Sequence, residues 1–377
     1  MVLKNKILIV GSFPEKNKDI FGGIAQSCRI LLKSDSFSKY EIIKVDSSQK
    51  INPKPSILTR TFLGFRRVIQ LIISLMIDRP KLTLIFCSDG YSAIEKGLMI
   101  LISKAFNVKS IIFPRAGNLI NQTKRSLFFN KVISVMFNMA DIFLCQGKAW
   151  SNYANNNLKI DKKKIKEISN WTATDNLIKI GSSRKVLKTP PQLNILFVGW
   201  LEKEKGIKEI LRVLTILKNT HFSFKITFVG NGKMKTQIEL FARANGIQNK
   251  VFVTGWLDSK KIIRHYKEND VFILPSWHEG MPNSLIEALA SGLPSIVTSV
   301  GVIPDYLKDN LTAMIIPPKD YKALAEAIIS LKDNYELRKK LSKNGFLLAK
   351  RLFLTKISLN KLSLIIDEQI NKEHVKG

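Results

Sequence analysis

Eleven short runs rich in β-branched and aromatic residues alternate with stretches of helical period along this chain, and that alternation restricts its fold more than any other feature. In the first half KILIV, YEIIKV, LTLIFC, KSIIF and DIFLC are followed by helical stretches over 22–33, 59–77, 93–106, 121–140 and 148–156. The second half repeats the scheme with NILFV, FKITFV, KVFV, DVFIL, LPSIVT and AMIIP. Strands joined through helices pair in parallel, because the connecting helix must cross back over a face of the sheet. The fold class is therefore α/β, and 377 residues suit two doubly wound, Rossmann-like domains better than one core. The first domain is expected over 1–169 and the second over 193–354. Between them, 170–192 is polar, carries Gly-Ser-Ser and Pro-Pro, has no clear period, and reads as a linker. In open sheets of this kind ligands bind beyond the carboxyl ends of the strands, so two such domains facing each other would enclose a cleft lined by loops.

The formal charge of +30 favours acidic partners: nucleic acid, an anionic lipid surface or a phosphorylated substrate. Residues 1–169 hold 28 Lys and Arg against 11 Asp and Glu, and the remainder 32 against 19, so both halves are basic. A coding bias toward lysine, with the side chains merely solvating the surface, explains part of the same number. The longest apolar run, VIQLIISLMI at 68–77, contains Gln70 and stops at Asp78, too short to span a bilayer. The amino-terminal MVLKNKILIVGSF reads as a first strand rather than a signal peptide, which implies a cytoplasmic chain. Cys28, Cys87 and Cys145 are far apart and odd in number, and read as buried thiols.

The residues that could bind an anion sit where this fold places its ligands, in loops after strands. Gly22 and Gly23 open a helix after KILIV; paired glycines admit a ligand close to the backbone, although a simple turn uses them equally well. After NILFV comes GWLEKEKGIKEIL, in which Gly199 and Trp200 leave the strand and Lys205 stands before a helix, able to reach a diphosphate as a point charge or to pair with Glu202 or Glu204. Gly230 in VGNGKMK and Trp256 in VTGWLDS follow the next strands, to flank a base or to turn the chain.

The stretch SWHEGMPNSLIEALASGLPSI places Glu279 and Glu287 on either side of a turn and an otherwise apolar helix. Pro282 suits the first helical position and Gly292 the position past the end, giving about ten helical residues. With Leu285, Ile286, Ala288 and Leu289 around it, Glu287 should be buried, pointing back toward the turn. An ionised buried carboxylate needs a cation, a hydrogen-bond donor or a ligand hydroxyl. Sugar and ribose hydroxyls meet that need; so do backbone or lysine donors of the chain itself. His278 is expected to support Glu279 rather than act as a base.

HEGMPNSLIEALASGLPSIVT resembles the Glu-x7-Glu signature of retaining glycosyltransferases of GT-B fold, the group often called family 4 or group 1. The Gly-Gly helix start, Asn170, FVGWLEKEKG, FVGNGKMK and VFVTGWLD fall in the same order as in that family, and the last segment, about 355–377, resembles its terminal helix that returns to the first domain. The resemblance implies a nucleotide-sugar donor. Glu287 would bind its ribose and Glu279 the transferred sugar. Backbone from Gly280 through Met281, Pro282, Asn283 and Ser284 to Leu285 would meet sugar and phosphate oxygens, and Lys205 would neutralise the diphosphate. The family uses neither a cofactor nor a protein nucleophile, and the chain lacks the Asp-x-Asp pair that holds a metal in the other major transferase fold. One departure stands out: Trp200 replaces an arginine common after the strand glycine, so a diphosphate contact is missing unless another cation such as Arg115 supplies it.

The acceptor is less legible. TRTFLGFRRVIQLIISLMI sets Phe62, Phe65, Ile69, Ile72 and Met76 on one helical face with Arg60, Arg66 and Arg67 mostly elsewhere, and TKRSLFFNK repeats the mixture. These helices either pack on the first sheet or dock on anionic lipid, where a polyprenyl-diphosphate-linked saccharide would be the acceptor. The competing functions are an epimerase or phosphorylase of the same fold, a donor-binding relative without transfer activity, and a nucleic-acid-binding protein; no nucleic-acid motif supports the last.

Overall fold

The computed structural model describes residues 4–13, 22–48, 56–220 and 222–371. Residues 14–21 of the first glycine loop and 372–377 of the terminal segment lie outside them. The chain divides into two compact units, Met1–Trp171 with Thr355–Gly377, and Thr172–Leu354.

The first unit is a six-stranded parallel sheet of β1 (Asn5–Gly11), β2 (Tyr40–Asp46), β3 (Leu82–Cys87), β4 (Lys109–Pro114), β5 (Ile142–Cys145) and β6 (Ile165–Glu167), in the order β2-β1-β3-β4-β5-β6. β3 is buried along its whole length and β4 at every residue but the first, as expected of strands covered on both faces. One side of the sheet meets Leu359, Leu362 and Ile366 of the helix Thr355–Asn371, whose Asp367 accepts a hydrogen bond from the Tyr40 hydroxyl at 2.7 Å. Trp171 is fully buried against the rings of Phe86 and Phe113 and donates its indole N–H to the Ser27 carbonyl at 2.9 Å. The stretch 121–140, expected as one helix, is two, Asn118–Arg125 and Leu127–Asn138. The break falls at Ser126, whose extended backbone and hydroxyl, accepting from the Phe129 N–H at 3.2 Å, cap the second. The three cysteines are buried free thiols.

The second unit holds β7 (Leu193–Val198), β8 (Phe224–Val229), β9 (Val251–Gly255), β10 (Val271–Leu274), β11 (Ser295–Thr298) and β12 (Met314–Ile316), parallel throughout, in the order β12-β11-β10-β7-β8-β9. β7 therefore has β8 on one side and β10 on the other, and the chain changes direction across the sheet between β7 and β10. In sheets of this kind the carboxyl ends of the strands flanking such a reversal are the usual place for a ligand.

The expected linker 170–192 is not one throughout. It contains the helix Asp175–Ser182, whose Leu177 is buried and whose Gly181 lies against the Ala290 carbonyl and the Phe346 ring. Beyond it Arg184 donates to the carbonyls of Ser291 and Asn269 at 2.6 and 3.0 Å and to that of Tyr266. Eight residues with a single buried side chain give too short a period to read from sequence, and the order comes from carbonyls far along the chain. A side chain at Gly181 would sit 2.3 Å from the Ala290 oxygen. Gly181→Val is therefore expected to lower stability by about 2 kcal/mol or more in urea unfolding; an unchanged midpoint would show that this segment bears no load.

Candidate active site

The loops that leave β7 and β10 are fastened to each other by backbone. The Trp277 N–H donates to the Glu204 carbonyl at 2.8 Å, and Gly206, at φ +77°, lies so close to Pro275 that a Cβ would stand 2.1 Å from its carbonyl oxygen. Only glycine takes that conformation in that space. The far side of the β10 loop is held by the end of β11 and the turn after it: Thr298 donates to the Ser276 carbonyl at 2.6 Å, and Gly301 leaves room for the Glu279 backbone, whose oxygen a Cβ would approach to 2.1 Å.

Within this frame the Lys205 ammonium meets a Glu279 carboxylate oxygen at 2.6 Å. The partner of Lys205 is thus neither Glu202 nor Glu204 but a residue 74 positions away. The Lys205 side chain is 26% exposed and that of Glu279 8%, so the pair lies at the edge of the solvent with the carboxylate inward. His278 is exposed.

The helix after the loop runs Asn283–Ala290, eight residues rather than about ten. Pro282 precedes it as N-cap instead of occupying the first turn, because its backbone is extended at ψ 125°. No side chain caps this end, so the positive end of the helix dipole is presented by Asn283, Ser284 and Leu285, directly after Gly280 and Met281. The other end closes with Gly292 at φ +68°, where the Gly292 and Leu293 N–H groups reach the Leu289 and Ala288 carbonyls, both at 2.9 Å.

Glu287 is buried in that helix and accepts a hydrogen bond from the Tyr266 hydroxyl at 2.8 Å. Burial pushes its carboxyl up to about 7, against the opposing pull of the tyrosine. Burial, followed by the nearby Glu287 charge, holds the Tyr266 hydroxyl well above its ordinary value, so it remains a donor. Tyr266 was not anticipated from sequence. Its signal is faint: in the charged helix Ser259–Glu268 it follows Ile262 and Ile263 at the spacing of one helical face. The donor within the chain is thus a side-chain hydroxyl, neither a lysine nor a backbone N–H.

The remaining residues gather at the neighbouring strand ends. Gly199 follows β7, and its carbonyl would be 1.9 Å from a Cβ on Gly230, which follows β8. Trp200 and Trp256 meet edge to face, ring centroids 4.9 Å apart. Gly22 and Gly23 belong to the first unit, at the start of the helix Gly23–Leu32, with no side-chain cap. Arg115 is also in the first unit, where it donates to Ser27 at 3.0 Å and lies over the rings of Phe113 and Trp171.

Residues 181–347 match the family model of "Glycosyl transferases group 1". The match lies within the second unit, and solved structures of GT-B glycosyltransferases share the fold of the chain. Over 98% of its length it superposes on all of sucrose-phosphate synthase from Thermosynechococcus elongatus, with a TM-score of 0.77 at 16% identity. HepE of Anabaena, solved in complex with UDP-glucose, aligns over 96% of this chain and 99% of its own, with a TM-score of 0.71 at 13% identity. A stretch of 146 residues is 36% identical to the putative teichuronic acid biosynthesis glycosyltransferase TuaC of Bacillus subtilis, covering 38% of this chain and 34% of TuaC. The chain spans about half the length of the first curated relatives it matches, 46% and 48%.

The raised Glu287 value has a sign that can be checked. The unfolded chain loses this proton near 4.5 and the folded chain near 7, so stability falls as pH rises through that window, by about 3 kcal/mol in all, and levels off above it. Glu287→Gln removes the ionisation and keeps an acceptor for Tyr266. Parent and variant should melt together near pH 4.5, with the variant the more stable at about pH 8; a variant melting below the parent at the higher pH would contradict a buried, costly carboxylate.

Proposed function

We propose that this chain is a retaining glycosyltransferase that moves a sugar from a nucleoside-diphosphate sugar to a saccharide acceptor in the synthesis of a surface polysaccharide. The observation that carries the reading is the Lys205–Glu279 pair, which stands at the crevice between β7 and β10 beside a helix N-terminus with no side-chain cap. A diphosphate needs a cation and N–H donors together, and a sugar needs a carboxylate acceptor; the loops leaving β7 and β10 bring those groups within one site.

In the proposed reaction the bond from the anomeric carbon to the diphosphate oxygen breaks, and its electron pair leaves with the nucleoside diphosphate. An acceptor hydroxyl bonds the same carbon from the same face, and its proton passes to the departing phosphate oxygen. Charge therefore grows on the leaving group, where the Lys205 ammonium and the first turn of Asn283–Ala290 oppose it. Glu279 fixes the lysine and offers its carboxylate to the sugar hydroxyls. Glu287, held by Tyr266, accepts from the ribose; a paired hydroxyl on a buried carboxylate offsets part of the cost of its burial. The aromatic pair Trp200–Trp256 flanks the base, and the diphosphate is met without the arginine common in related sequences. The proposed reaction uses neither a metal nor a cofactor, as the resemblance of the Glu279–Glu287 stretch implies.

The UDP-glucose complex of HepE supports a nucleotide-sugar donor and the TuaC likeness supports a polysaccharide product. The group 1 match favours transfer over the epimerase, phosphorylase and nucleic-acid readings. We assign acceptor recognition to the first unit, with a polyprenyl-diphosphate-linked saccharide as the substrate.

The test is thermal stability against a panel of nucleoside diphosphates and their sugars. One nucleotide should raise the melting temperature, and Glu287→Ala should abolish the shift. With the donor so named, Lys205→Ala is expected to lower the transfer rate by about 100-fold or more, and the product should keep the anomeric configuration of the donor by NMR. An absence of any shift across the panel would refute the donor site; an inverted product would refute retention alone.

A further inference from the structure

The helices Ile57–Ile77, Tyr91–Ala105 and Leu127–Asn138 form one layer of the first unit, the middle one packed against both others. Arg67 joins the first two by bonding Glu95 through two nitrogens at 2.7 and 2.8 Å, and Gly97 lies close against Met136 across the second contact. The first helix buries Gly64, Val68, Leu71 and Leu75. A helix with one face in the core ordinarily turns polar residues outward. This one does not. Leu58, Phe62, Phe65, Ile69, Ile73 and Met76 recur at intervals of three and four along its outer side, each between 41% and 84% exposed. Ile94 and Leu98 continue the patch on the middle helix, and Phe128 and Val135, 80% and 54% exposed, on the third.

Charge identifies the occupant. Residues 56–79, 91–105 and 118–139 hold nine Lys and Arg against two acids, Asp78 and Glu95. Glu95 is buried and already bound by Arg67 and Lys96. The exposed charges beside the apolar stripe are thus cationic: Arg66, Lys124, Arg125 and Lys131. A second copy of the same face would oppose cation to cation. We propose that this face docks on an anionic lipid bilayer, its phenylalanines and aliphatic side chains entering the interfacial region and its arginines and lysines meeting lipid phosphates. Among the described residues no helix is long and apolar enough to cross a membrane, so the attachment is peripheral. It places the acceptor-recognising unit on the surface where a lipid-linked saccharide is displayed, yet it requires no donor binding.

The full chain is to be sedimented with vesicles of phosphatidylcholine alone and of phosphatidylcholine with about one-third phosphatidylglycerol. At low salt the anionic vesicles should carry down at least about 10-fold more protein than neutral ones, and about 0.5 M salt should remove most of the difference. Phe62→Ser with Phe65→Ser should cut binding by about 10-fold, and Arg66→Gln, Lys124→Gln and Arg125→Gln together should abolish the salt sensitivity. Because all five side chains are exposed, thermal melts of both variants should match the parent. No sedimentation with anionic vesicles at low salt, binding indifferent to the phenylalanine changes, or a dimer in sedimentation velocity that those changes dissociate would each overturn the proposal. So would displacement of the patch's function to a random oligonucleotide, bound in the absence of any vesicle binding.

Discussion

Parallel pairing of β7 with β10, with Val271 opposite Ile195 and Phe272 opposite Leu196, brings together two loops that lie some 70 residues apart in the chain. The ion pair of the candidate site depends on it. Lys205 finds Glu279 because their strands are neighbours, and the loops hold their positions because glycine at 206 and 301 lets backbone approach backbone where any Cβ would collide. The binding groups are thereby set by a sheet whose strands are almost wholly buried, which is the most rigid support this architecture provides.

The two glutamates of the Glu-x7-Glu motif show how differently one residue type behaves in two settings. Glu279 lies in a loop at the solvent edge and is balanced by an ammonium. Glu287 lies inside a helix, with only a neutral hydroxyl for a partner, and its carboxyl is pushed up to about 7. A buried carboxylate with so weak a partner costs the resting fold stability once it ionises, which fits the ribose-binding role proposed for it. The helix that bears it is closed at its carboxyl end by Gly292 and left without a side-chain cap at the amino end. That asymmetry suits an anion at one end and tight packing at the other.

The units also divide their surfaces. In the second, apolar side chains go into the sheet faces and the polar groups gather at strand ends. In the first, a whole helical layer keeps large apolar side chains outward while its one buried acid, Glu95, is satisfied internally by Arg67 and Lys96. Basic charge and exposed aromatic area on one face are separable contributions, one screened by salt and the other not.

Eleven of the twelve strands, the parallel class, the glycine turns and the buried Glu287 were legible in the sequence because each depends on residues within a few positions of one another: period two or 3.6, a β-branched run, a glycine past a helix end. The three-residue edge strand β6, Ile165–Glu167, is too short to give such a run. The short helix Asp175–Ser182 was not legible, since Arg184 and Gly181 are ordered by partners about 80 to 160 residues away. Nor was Tyr266, whose hydroxyl meets Glu287 only after two helices pack. The amphipathic pattern of 57–77 contained both an inward and an outward apolar stripe, and periodicity does not say which one the sheet will cover. By itself the sequence determined where most strands and the longer helices lie and which residues carry charge, because those are local properties of side chain and backbone. Only the tertiary structure decided that Lys205 pairs with Glu279, that Tyr266 holds Glu287, and that Phe62 and Phe65 face outward. Each of these depends on the order of strands in a sheet, set by the burial of many distant residues together.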